Sequence, residues 1–73
     1  MKINDLIKEN YKLLDKNDIK LYSYIIQEKT DFVEKNLKEF SKKSNFSESA
    51  IVNFTKKIGL EGYSELNYLV KWE

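Results

Sequence analysis

Seventy-three residues without cysteine, histidine, proline or arginine make one small domain, with no disulfide, no thiolate or imidazole metal site and little nucleophilic chemistry. Thirteen lysines against twelve acids leave a net charge of +1, and apolar runs of two or three residues supply neither a transmembrane span nor a signal-peptide core. The expectation is a soluble cytoplasmic chain that is not an enzyme, binds no metal and carries no cofactor.

With no proline and no period-two alternation, the chain reads as helical throughout. Ile3, Leu6, Ile7, Leu13 and Leu14 recur at helical intervals and predict a first helix near 2–14. Asn17 is the predicted N-cap of a second helix, with Asp18 in its first turn. Leu21, Tyr22, Ile25 and Ile26 form the buried stripe of that helix, which ends at 28–29 before a break at Thr30-Asp31. Asn36 followed by Glu39 has the spacing of a capping box. The helix it opens turns Leu37, Phe40 and Ser41 inward and stops at Ser44-Asn45, where Asn45 takes the left-handed position of a tight turn. Ser47 caps the next helix, Ile51, Phe54 and Ile58 face its core, and Gly59 ends it with Leu60 as hydrophobic partner. A fifth helix starts at Tyr63 or Ser64 and carries Leu66, Leu69 and Val70 inward. The predicted fold is all-α, a compact bundle of about five short helices around one core.

The helices at 37–44 and 47–58, with three or four residues between them, have the dimensions of a helix-turn-helix. The unit spans about 37–56 within a homeodomain-like or winged-helix-like three-helix core. Ser41 is small where the helices approach, Asn45 stands at a turn position usually held by glycine, and Phe46 plugs the core. Charge is unevenly placed. Residues 1–34 hold six lysines and seven acids, net −1; residues 35–57 hold six lysines and two acids, net +4; residues 58–73 hold one lysine and three acids, net −2. Such an excess is either a solvated face or a phosphate-binding patch, in which lysine acts as a point charge without the guanidinium fork. The same packing serves a DNA reader or a protein-contact module, and the pattern alone leaves both open.

Residues 14–70 resemble the N-terminal DNA-binding domain of MurR/RpiR-type bacterial transcription regulators, in register and without a gap. The match is densest over 36–54 and continues through Lys56-Lys57-Ile58-Gly59-Leu60-Glu61-Gly62-Tyr63-Ser64-Glu65-Leu66. The second glycine and the aromatic of that tail set it apart from a generic helix-turn-helix. Upstream, Leu14, Lys16, Asn17 and Tyr24-Ile25-Ile26 fit the second helix of the family. The resemblance implies a single domain over 1–73 that binds double-stranded DNA and regulates genes of sugar or amino-sugar metabolism. Family members add a C-terminal sugar-isomerase-type domain that senses a phosphosugar. No such pattern is present here, so an effector would act only through a domain outside this chain.

On that reading the helix from Ser47 enters the major groove, with Ser47, Glu48, Ser49, Ala50 and Asn53 near the bases. Lys38, Lys42, Lys56 and Lys57 hold phosphates, which sets register rather than sequence preference. A homodimer on a two-fold operator is expected, and no membrane partner. Two positions depart from the family: Ala50 where a threonine or serine is common, and Asn53 where arginine is common. An asparagine pairs with adenine where arginine prefers guanine. The alternative is a module that has lost DNA affinity and serves protein association. The aromatics Tyr11, Tyr22, Tyr24, Tyr63, Tyr68 and Trp72 fall at helical spacing, which points to core or dimer packing rather than base stacking. Trp72 is placed at an interface or a domain joint. Asp31, Glu61 and Glu65 have no spacing for acid–base or metal chemistry and are read as solvated.

Overall fold

The computed structural model describes residues 2–73. Among the described residues six α-helices follow in order: α1 (Ile3–Glu9), α2 (Lys16–Gln27), α3 (Lys29–Glu34), α4 (Leu37–Ser44), α5 (Glu48–Lys57) and α6 (Tyr63–Lys71). A 3-10 turn, Tyr11–Leu13, links α1 to α2. The described residues contain no strand, and none of their helices is long and apolar enough to cross a membrane.

The all-helical expectation holds, with three local corrections. The first helix stops at Asn10 instead of running to Leu14. The Asn10 backbone and side-chain amides both donate to the Leu6 carbonyl, at 3.1 and 2.9 Å, which ends the ladder there. Leu13 is consequently 60% exposed rather than buried. Second, α2 is capped by Asp15 and not by Asn17. The Asp15 carboxylate accepts the Asp18 N–H at 2.8 Å, and the Asp18 carboxylate accepts the Asp15 N–H at 3.0 Å. This is a reciprocal capping box built from two aspartates. Third, a helix occupies the region of the expected break: Glu28 bends the chain (ψ 37°) and α3 begins at once. Asp31 sits in its first turn, where the helix dipole favours an acid, and Phe32 swings into the core.

From Asn36 onward the sequence signals and the structure coincide. Asn36 and Glu39 exchange side-chain and backbone bonds at 2.8 and 3.0 Å. Asn45 is left-handed at φ 66°, and Ser47 accepts the Ala50 N–H at 3.0 Å. Gly59 is left-handed at φ 86°. Around it the Gly59 N–H reaches the Lys56 carbonyl at 3.0 Å and the Leu60 N–H the Thr55 carbonyl at 2.9 Å, the paired bonds of a Schellman end.

Leu21 and Ile25 of α2, Phe32 of α3, Phe40 of α4, Ile51 and Phe54 of α5, Ile58 just beyond it, and Leu66 and Val70 of α6 are fully buried. Ile3, Leu6 and Ile7 close the core from α1, while Ile26 turns outward. Phe32 and Phe40 meet edge-on with centroids 4.8 Å apart, and Tyr63 joins Phe32 at 5.3 Å. The Tyr63 hydroxyl donates to the Lys35 carbonyl at 2.6 Å and Asn67 donates to the Phe32 carbonyl at 2.9 Å. Side chains of α6 thus bond the carbonyls at the end of α3, of which that of Phe32 also accepts the Lys35 N–H. Burial pushes the Tyr63 hydroxyl pKa up, which keeps it a donor.

The two glycines of the tail pattern are not equivalent. Gly59 needs a left-handed backbone, whereas Gly62 is extended (φ 168°) at the N-cap of α6, with open space where a Cβ would stand. Gly59→Ala should therefore cost about 1–2 kcal/mol, while Gly62→Ser should cost nothing and add a cap. Urea unfolding of the two variants measures the contrast.

Candidate nucleic-acid interface

Helices α4 and α5 are separated by residues 45–47, and hydroxyls of α4 hold that turn. The Ser41 Oγ donates to the Phe46 carbonyl at 2.7 Å, and the Phe46 N–H donates to the Ser44 Oγ at 3.2 Å. Both backbone groups of Phe46 are bound, and its ring packs against Tyr24 at 6.4 Å. Ser41 thus contributes a hydrogen bond beyond the small size read from the sequence.

The two faces of α5 divide cleanly. Ile51, Phe54 and Thr55 are buried, with the Thr55 hydroxyl donating back to the Val52 carbonyl at 2.6 Å. Ser47, Glu48, Ser49, Asn53 and Lys56 are exposed, and Ala50 is half-buried beside them. Ser49, Asn53 and Lys56 follow one another at the i, i+4, i+7 spacing of a single stripe. The helix therefore offers water a short hydroxyl, an amide and an ammonium in line, with Glu48 at its N-terminal end.

The cations of the basic window separate into two groups. Lys38 and Lys42 on α4 are exposed one turn apart, and with Lys56 they form no ion pair among the described residues. Lys35, Lys43 and Lys57 are engaged. Lys35 and Lys43 lie 2.9 and 2.8 Å from the two carboxylate oxygens of Asp31. Lys57 lies 2.6 Å from Asp18 and 3.8 Å from Asp15, tying the last turn of α5 to the first turn of α2. Lys57, expected from the sequence to hold phosphate, has its ammonium against the aspartate box in this structure. A separation of 39 residues hid that pairing from the sequence pattern. The solvated reading fails for Asp31, while Glu65 stays exposed. Asp31 joins α3 to α4 through Lys43 and pairs with Lys35 at the end of its own helix, and Glu65 accepts the Glu61 N–H at 2.8 Å ahead of α6.

These contacts shift the groups in opposite directions. The Lys43 hydrogen bond, then Lys35, holds the Asp31 carboxyl below its ordinary value of 3.8, and the Asp18 N–H does the same for Asp15. The hydrogen bond to Asp31 raises Lys43 above 10.5, and the bond to Asp18 raises Lys57. Carboxyls with lowered values stabilise the fold fully above 3.8 and lose that contribution as pH falls through their shifted values. Lysines with raised values contribute fully below 10.5 and lose it as pH climbs past their own shifted values.

A short helix, a hydroxyl-locked turn and a second helix with one polar face in water define a helix-turn-helix protein. A family model described as "Helix-turn-helix domain, rpiR family" matches residues 1–73, and the chain belongs to that family. It is 32% identical over 73 residues to the "HTH-type transcriptional regulator GlvR" of Bacillus subtilis (strain 168), covering 100% of this chain and 29% of that protein. The chain thus spans less than a third of the length of this relative. No solved structure matches it.

Removing Asp31 tests the electrostatic tie between α3 and α4. Asp31→Asn should lower stability at neutral pH and flatten its decline as pH drops below 3.8, because one carboxyl of lowered pKa is gone. Urea unfolding across the acid range reads both effects.

Proposed function

We propose that this chain is the DNA-binding domain of a bacterial transcription regulator, with α5 docked in the major groove. One observation carries the reading: the exposed Ser49–Asn53–Lys56 stripe of α5 lies beside a turn held rigid by Ser41 and Ser44, in a chain of this family. Ser47, Glu48, Ser49, Ala50 and Asn53 face the base edges. The free ammonium groups of Lys38, Lys42 and Lys56 meet phosphates and fix register. The small side chains of Ser49 and Ala50 let the helix approach closely enough for the Asn53 amide to reach an adenine edge. Two copies bind a two-fold operator, since one domain of this size contacts too few bases for a specific site.

The similarity to GlvR, a transcriptional regulator by name, supports a regulatory role. Regulation of sugar or amino-sugar genes, a phosphosugar effector sensed by a domain outside these residues, cytoplasmic action and the absence of catalysis complete the reading. They rest on the family resemblance and on the helix-turn-helix residues, none of which carries out chemistry.

Three phosphate contacts give a log–log salt slope of about −3 per protomer, doubled for a dimer. Lys56→Ala should reduce the magnitude of the slope by about 1 per protomer, while Lys57→Ala should leave it unchanged and lower stability instead. Titrations at several salt concentrations, with urea unfolding alongside, separate the two lysines. A slope that follows Lys57 and ignores Lys56 would reverse their roles.

Asn53 supplies the sharper expectation. Asn53→Ala should relax preference at one operator position by about 1–3 kcal/mol and keep the salt slope, and Asn53→Arg should move that position toward guanine. Selection from randomised duplexes reads both changes. Identical sites for all three proteins would remove Asn53 from the reading face. Failure of the dimeric wild type to select any site would favour the protein-association module.

A further inference from the structure

The side of α6 turned away from the core carries Ser64, Glu65, Tyr68 and Lys71, and Trp72 at its end continues that side. At 100° per residue these five fall within about 120° of arc, opposite the buried Leu66 and Val70. Tyr68 is 62% exposed and Trp72 70%, their rings lie 6.3 Å apart, and the Lys71 ammonium stands 5.9 Å from the indole centroid. Trp72 is held where it is. Its N–H bonds the Tyr68 carbonyl at 3.2 Å, and its neighbour Glu73 accepts the Ile3 N–H at 3.3 Å and the Lys29 ammonium at 3.1 Å. Two large aromatic rings thus stand in water on successive turns of a helix end whose backbone is tied down.

We propose that this face is the contact between two copies of the chain, packed as antiparallel α6 helices about a two-fold axis at Tyr68. The charges choose both the occupant and its direction. Glu65 precedes Tyr68 by three residues and Lys71 follows it by three, so an antiparallel second copy sets each Glu65 opposite a Lys71. The same symmetry sets the small Ser64 opposite the indole of Trp72. A parallel copy would instead oppose glutamate to glutamate and lysine to lysine. Glu65 accepts the Glu61 N–H through Oε1, a bond that leaves its charge in place. The other side of α6 packs on α3 and α5. The axis relates the two α5 helices by the same two-fold symmetry that a two-fold operator has. One helix face lies at the low end of interface sizes, so the association is weak and concentration-dependent.

The inference takes up the two-copy arrangement proposed above, and it is measured without DNA. Sedimentation equilibrium of the chain over a wide concentration range should show reversible dimers, with Trp72 fluorescence shifting as they form. Glu65→Lys and Lys71→Glu should each weaken the dimer about tenfold or more. An equimolar mixture of the two variants should associate again, because each mixed pair restores both opposite-charge contacts. Circular dichroism checks that each variant folds. Where Glu65→Lys unfolds through loss of the Glu61 contact, Lys71→Glu alone must weaken the dimer. A wild type that stays monomeric, a dimer indifferent to either charge reversal, or folded variants that fail to associate on mixing would overturn the inference. A monomeric wild type that still binds duplex DNA would overturn this interface alone. A charge-sensitive dimer without DNA affinity would support the interface and count against the functional reading.

Discussion

Phe32 and Phe40 meet edge-on in a core that has no disulfide to support it, and the placement of α3, α4 and α6 follows from that contact. Phe40 is the fully buried residue of α4, so its seat sets the tilt of the first helix of the helix-turn-helix. Phe32 brings α3 against α6, and Tyr63 closes the cluster from the third side. The same tyrosine ends α3 with its hydroxyl. One side chain thus fills apolar space and satisfies a helix terminus, an efficient arrangement in a domain with little interior. The aromatic of the family tail pattern acquires a physical reason here: a phenylalanine at 63 would fill the same space and leave the Lys35 carbonyl without this donor.

Electrostatics orders the remaining elements. Asp31 gathers two lysines between α3 and α4, and the Asp15–Asp18 box gathers Lys57 between α2 and α5. Both junctions border the helix-turn-helix unit, which is therefore fixed from two sides. Three lysines of the basic window are used in this way, and three remain toward solvent. The local net charge of the sequence therefore counts three lysines that are held in ion pairs.

Signals confined to one turn of chain were legible in the sequence. The Asn36–Glu39 box, left-handed Asn45, the Ser47 cap and the Gly59 end all depend on residues no more than five apart, and the structure keeps each of them. The helix-turn-helix was readable because it is built from such signals in succession. Upstream, Asn17 was a reasonable cap by residue type, but an aspartate pair beginning two residues earlier makes two reciprocal bonds in place of one. Thr30-Asp31 looked like a break, although both residues suit a first helical turn. Lys57 and Tyr63 take their roles from partners far away in sequence, as Asp31 does through Lys43, and no periodicity records such partners. For the candidate site, the exposed face of α5 was legible from spacing, whereas the allocation of lysines between fold and surface was not.

The bound state of Phe46 has a consequence for how the surface behaves before any encounter. Its N–H and carbonyl are both held by serines of α4, so the turn cannot swing without breaking two hydrogen bonds and withdrawing a ring from Tyr24. Helices α4 and α5 consequently fluctuate as one body, and local opening of the turn merges with opening of the core. A molecule that docks on α5 meets a preorganised surface and forfeits little conformational entropy there. Discrimination between one docking partner and another then falls to the few side chains standing above that rigid surface.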